Sequence, residues 1–141
     1  MELPRIRTPS PGETAAYHVW FTKGGNLAPM WIEGEKTLGV LTESMKLLLA
    51  GPPAGSGLET EIPDGVEVRD LGFANGTATV DLSAPPLSKG AKTVVPVGQI
   101  VYTLTQFPTV KGVEIMVDGG SLGVAGTSAD IFKRGPFWEQ Y

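Results

Sequence analysis

Glycine and proline punctuate this chain so densely that no long uninterrupted element can form, with 19 glycines and 12 prolines among 141 residues. Each internal proline removes a backbone donor and fixes φ, and each glycine weakens the interior of a helix or strand. The chain is therefore expected to fold as short elements joined by well-defined turns. With 41% apolar residues it is too hydrophobic to be disordered throughout. A chain of this length buries roughly two thirds of its unfolded surface without metal or disulfide support. One domain is the expectation.

The opening segment ELPRIRTPSPGET has no apolar period, so residues 1–16 read as a flexible tether, and the fold is expected to start near Tyr17. Tyr17 to Thr22 is aromatic and β-branched, Lys23-Gly24-Gly25-Asn26 reads as a turn, and Leu27 to Glu33 forms a second strand. Pro29 cannot donate to a ladder, so this second strand is expected to be either irregular or at a sheet edge. Leu38, Leu41, Met45, Leu48 and Leu49 recur at helical spacing between Thr37, a suitable N-cap, and Gly51-Pro52-Pro53, which predicts a helix over 38–50.

Asn75-Gly76 is the strongest local signal, because both residues readily supply the positive φ of a type I′ hairpin turn. Strands over 66–73 and 77–82 flank it. Ala78, Val80 and Leu82 alternate with polar residues, while the apolar parity changes between Val68 and Leu71, predicting either a bulge or an early strand end near Asp70. Val97, Ile100, Val101, Leu104 and Phe107 mark a second helix over 95–106, with Pro96 confined to its first turn. Val113, Ile115 and Val117 give a last strand ended by Asp118-Gly119-Gly120. The fold class expected is α+β: a two-layer sandwich of one mostly antiparallel sheet with two helices on one face.

Composition removes much chemistry. Zero cysteine excludes thiolate nucleophiles and Cys-ligated metals, and a single histidine, His18, excludes multi-His metal sites. A net charge of −4 with scattered basic residues offers no footprint for nucleic acid. Gly119-Gly120-Ser121-Leu122-Gly123 matches a nucleophile-elbow pattern, but Val124 to Gly126 is poor helix material and no histidine follows, so a surface turn is the better reading. His18 reads as an ordinary strand histidine, and the pairs Glu33/Glu35 and Glu59/Glu61 as solvated surface. Gly51 to Gly57 lacks the Lys followed by Ser/Thr that a phosphate loop requires. No catalytic, cofactor or metal residues are assigned. The aromatic side chains are more informative: Trp20 and Trp31 belong to the first hairpin, and Phe137 and Trp138 to a tail that either folds over the open sheet face, the preferred reading, or meets a partner.

Read together, LLLAGPPAGSGLETEIPDGVEV at 47–68, NGTATVDLS at 75–83 and QIVYTLTQFPTVKGVEIMVDG at 99–119 resemble the GerM (GerMN) domain family of sporulation and spore germination proteins. The opening YHVWFTKGGNLAPMWIE is similar to that family's first hairpin, so the resemblance covers residues 17–126 and leaves 127–141 as an aromatic C-terminal tail packed on the domain. It implies an α+β fold akin to the ring-building motifs of envelope secretion machines, in exported bacterial proteins anchored at the membrane by a lipid or helix, with no established catalytic residues.

The function expected is a non-enzymatic cell-envelope interaction or scaffold module on the outer side of the cytoplasmic membrane, anchored through a segment absent from this chain. Its candidate interface is Trp20, Trp31, Phe137 and Trp138. An envelope protein is the expected partner, with no nucleic acid and no cofactor, and self-assembly is suggested by analogy of fold alone. The alternative is a small-molecule or peptidoglycan-binding domain, or a cell-wall-directed enzyme, with a groove near residues 51–65.

Overall fold

The computed structural model describes residues 14–63, 65–83, 94–117, 120–121 and 131–135. The tether before Thr14, the Asp118-Gly119 turn, Phe137 and Trp138 lie outside the described residues. The order of elements is β1 (Thr14–Lys23), β2 (Asn26–Glu35), α1 (Val40–Leu49), β3 (Val68–Ala74), β4 (Thr77–Leu82), α2 (Val94–Leu104), β5 (Gly112–Val117) and β6 (Gly120–Ser121). The α+β class follows directly from this order.

Turn chemistry decides most boundaries. Gly24 and Gly25 (φ 60° and 84°), and Asn75 and Gly76 (φ 52° and 80°), provide the paired positive φ angles that close two tight hairpins. Of the two expected irregularities near Asp70, the bulge is the one present, as a register shift between Val68 and Asp70 in a strand that continues to Ala74. Helix α1 starts two residues later than its apolar spacing suggests, because the Thr37 hydroxyl accepts a hydrogen bond from the Gly39 N–H at 3.1 Å ahead of the helix. Gly51, at φ 86°, ends it by donating to the Leu48 carbonyl. The first strand begins at Thr14, so the ordered fold extends into the stretch expected to be tether.

The strands divide into two ladders, the hairpin β1-β2 and a four-stranded set in the order β3-β4-β5-β6. β4 and β5 run parallel because α2 connects them as a crossover, whereas the other pairs are antiparallel. A single cluster nevertheless unites the molecule. Tyr17, Val19 and Phe21 from β1, Met45 and Leu48 from α1, Val97, Ile100, Val101 and Leu104 from α2, and Ala78, Val80, Leu82, Val113 and Ile115 from the larger sheet are all buried in it.

The division of the sheet has a specific cause. Backbone groups of Tyr17, Val19 and Phe21 face β2, so those of His18, Trp20 and Thr22 face the opposite, outer edge of β1. Helix α2 and the turn that follows it occupy that edge with side chains. Gln106 accepts from the His18 N–H at 2.9 Å and donates to the His18 carbonyl at 2.8 Å. The Thr103 hydroxyl accepts from the Trp20 N–H at 3.0 Å, and the Gln99 amide donates to the Trp20 carbonyl at 3.1 Å. Farther along, Thr22 and Glu59 exchange both backbone bonds at 2.7 and 2.8 Å.

Gln99 also donates to Thr60 Oγ1 and accepts from the Glu61 N–H, so one fully buried amide ties β1, α2 and the 58–62 segment together. Successive outward-facing strand residues are about 6.8 Å apart, against about 4.5–6 Å for three or four residues of helix. Short Thr103 between two long glutamines absorbs that mismatch. Phe132 completes the core: it exchanges both backbone bonds with Val113 and is buried.

At the far end of the hairpin, Gly34 permits a close approach. An added Cβ there would lie 2.8 Å from Glu43 Oε2 and 2.8 Å from Leu47 Cδ1. The same carboxylate accepts from the Glu35 N–H, and the Tyr17 hydroxyl donates to the Glu35 carbonyl at 2.6 Å. Burial, with Glu43 and Glu35 nearby, raises the Tyr17 pKa and keeps it a donor.

Two stability predictions follow from these contacts. Gln99→Leu strands three partner groups at once, and is expected to lower unfolding free energy by about 2–4 kcal/mol in urea titrations. Gly34→Ala forces Tyr17, Leu47 and Glu43 apart, and is expected to cost about 1–3 kcal/mol in the same measurement.

Candidate functional site

On β1 the odd side chains enter the core, so His18 and Trp20 project onto the other face of the hairpin beside Trp31 of β2. His18 and Trp31 are directly opposite in register and form a non-hydrogen-bonded pair, the closer type of cross-strand contact. Their rings stack at 4.5 Å between centroids, tilted by 23°. His18 meets Trp20 edge-on at 5.4 Å, and Trp20 meets Tyr102 of α2 edge-on at 4.8 Å. Trp31 thus ends a continuous aromatic row and is 65% exposed.

Arg134 closes the other end of the row. Its guanidinium lies 4.7 Å from the Tyr102 ring centroid and 5.6 Å from that of Trp20. It donates to Thr105 Oγ1 at 2.7 Å and to the Tyr102 carbonyl at 2.6 Å, capping the C-terminus of α2 with positive charge. Trp20 is partly covered in this arrangement, and its indole N–H is buried with no hydrogen-bond partner among the described residues.

Of the expected interface residues, Trp31 is presented to solvent and Trp20 supports the row from within. Tyr102 and Arg134 escaped sequence reasoning. Tyr102 falls in a stretch that reads as apolar helix, and Arg134 reaches the site only through the return of residues 131–135 along β5.

The remaining sequence candidates fall apart spatially. Ser121 pairs with Met116 in the short strand β6 instead of standing on a strand-to-helix turn. Glu59 and Glu61 are exposed, and their backbones serve Thr22 and Gln99. Among the described residues, no group of three or more His, Asp or Glu side chains converges as a metal site, and no helix is long and apolar enough to cross a membrane.

Burial, and secondarily the charge of Arg134, lowers the His18 pKa below its ordinary value. The unfolded chain therefore binds this proton more readily than the folded one. His18 contributes stability that is complete above the unfolded pKa of about 6.5 and is lost as pH falls from there through the lowered folded pKa. His18→Gln is expected to flatten the dependence of the urea midpoint on pH between about 7 and 5. A slope equal to that of the parent protein would remove His18 from this role.

Comparison with known proteins identifies the fold. The first GerMN domain of the Bacillus subtilis sporulation protein GerM superposes with a TM-score of 0.68 at 19% identity, covering 86% of this chain and 98% of that one. The tandem GerMN domains of the same protein give 0.67 at 19% identity, covering 94% of this chain but 49% of that one, so the chain spans about half of the tandem unit. A candidate lipoprotein from Clostridium perfringens gives 0.55 at 17% identity, with 91% of each chain covered. These likenesses establish the fold. No curated protein sequence matches. The Germane family model, described as sporulation and spore germination, matches residues 18–123, and the chain belongs to that family.

Proposed function

We propose that this chain is a non-catalytic module of the bacterial cell envelope that binds another protein through the outer face of the β1-β2 hairpin, with Trp31 as the anchor. The observation that carries this reading is the Trp31 ring, 65% exposed yet fixed from behind by its stack on His18. A large aromatic held in one orientation loses little conformational entropy on binding, which is the property of an interface anchor. The envelope setting is supported by the resemblance to the C. perfringens candidate lipoprotein, and a sporulation or germination role by the family itself.

The reading is tested by placing a photoreactive amino acid at position 31, or at Thr79 of β4 as a control, and irradiating envelope preparations. A discrete protein adduct from position 31 alone is expected. Trp31→Ala is expected to weaken binding of the identified partner about tenfold or more, measured by titration, while leaving the thermal melting temperature unchanged. Equal adducts from both positions, or undiminished binding by the alanine variant, would move the interface off this hairpin.

A further inference from the structure

A second surface lies away from the hairpin face, where α1 and β3 diverge. β3 is the outer strand of the larger sheet, and its register sets Leu71 and Phe73 on the same face as Val80 and Ala78, the face that enters the core. Helix cover does not reach the end of the strand. Phe73 remains 48% exposed and Leu38, from the connection into α1, 67% exposed. Between them lies a depression of about 320 Å³ whose wall includes Val40, Leu41, Phe107 and Val110. Thr42 and Leu71 are shared with a second depression of about 300 Å³, lined by Met45, Leu49, Val66 and Val68 among others, so the two form one groove.

Phe107 and Val110 also wall a third concavity of about 310 Å³ on their other side, lined by Thr105, Pro108, Lys111, Lys133 and Arg134. Among the described residues that line it, three are cationic and none is acidic, in a chain whose net charge is −4. Apolar and positive surfaces are therefore contiguous across a single turn. Main-chain strand addition to β3 is opposed locally, because the outward Leu71 N–H is already bonded to Asp70 Oδ1 at 3.0 Å. Side-chain insertion needs no such bond to be displaced.

We infer that this groove binds a protein segment that carries large apolar side chains followed by acidic residues. The apolar side chains occupy the depressions beside Phe73 and Leu71, and the acidic ones lie against Lys111, Lys133 and Arg134. Charge complementarity selects this occupant: a basic or neutral tail gains nothing from the cationic concavity, and a purely acidic segment leaves the apolar groove uncovered. The inference rests on the reading of the chain as a protein-binding module but uses a surface separate from Trp31.

The test is fluorescence anisotropy on the full chain with a labelled synthetic peptide, Leu-Ser-Leu-Ser-Asp-Asp-Glu. Two control peptides replace the acidic residues by lysine or the leucines by serine. Saturable binding of the first peptide alone is expected, weakened by about 0.5 M salt. Phe73→Ser and Lys111→Glu are each expected to reduce affinity about tenfold. Leu38→Ser, at a still more exposed position, provides a second groove variant, and circular dichroism checks that each variant is folded.

Absence of saturable binding overturns the inference. Equal binding of the lysine peptide overturns the charge argument, and equal binding of the serine peptide reduces the site to one for anions only. Binding that is lost in Trp31→Ala and kept in Phe73→Ser assigns the peptide to the hairpin and refutes the groove. If all peptides fail while crosslinking from position 31 persists, the groove is refuted and the hairpin interface stands.

Discussion

A strand with an unpaired edge invites any passing chain to complete it, and in this fold a helix blocks that route. Gln99 and Thr103 of α2, with Gln106 in the turn just after it, meet the outward N–H and C=O groups of His18 and Trp20 much as a neighbouring strand would. Glu59 extends the same service to Thr22 through its backbone. Everything else about the hairpin depends on this contact. It fixes the distance between β1 and α2, seats Tyr17, Val19 and Phe21 in the common core, and leaves the opposite face of β1 free to carry aromatic rings.

Because the hairpin cannot slide or twist against α2 without breaking several hydrogen bonds together, its outer face is a rigid platform. Trp20 touches Tyr102, which belongs to the helix that holds the strand edge, and Arg134 binds the end of that helix while covering both rings. Rigidity of the edge and rigidity of the aromatic row thus have a common origin in α2. The groove between α1 and β3 is built differently. It exists because a helix of ten residues is too short to cover the strand beneath it, so Phe73 keeps an apolar surface that the core cannot use.

Much of the fold was legible in the sequence wherever a turn or a period fixed it. Asn75-Gly76, the alternation of Ala78, Val80 and Leu82, the parity change before Leu71, and the helical spacing of Leu41, Met45 and Leu48 each correspond to an element in place. The division into two ladders was not legible from apolar patterning, because it is caused by polar residues. The signal was present: Gln99 and Thr103 fall at i and i+4 on an otherwise apolar helix, Gln106 continues that spacing just past its end, and polar side chains so aligned must find polar partners. Parallel pairing of β4 with β5 likewise follows from a helix placed between two strands, a matter of connectivity that periodicity does not report. At the candidate site, Trp20 and Trp31 could be picked by residue type, whereas Arg134 arrives through a long-range contact that no local pattern encodes.

The return of residues 131–135 redraws the limits of the folding unit. Phe132 is only 2% exposed and is hydrogen-bonded to Val113, and Gly135 reaches the Tyr102 hydroxyl. The family match ends at residue 123, short of all these contacts. A polypeptide trimmed to the homologous core would lose a hydrophobic plug from β5 and the cationic lock on α2, and so would misreport both the ruggedness of this architecture and the shape of its aromatic face.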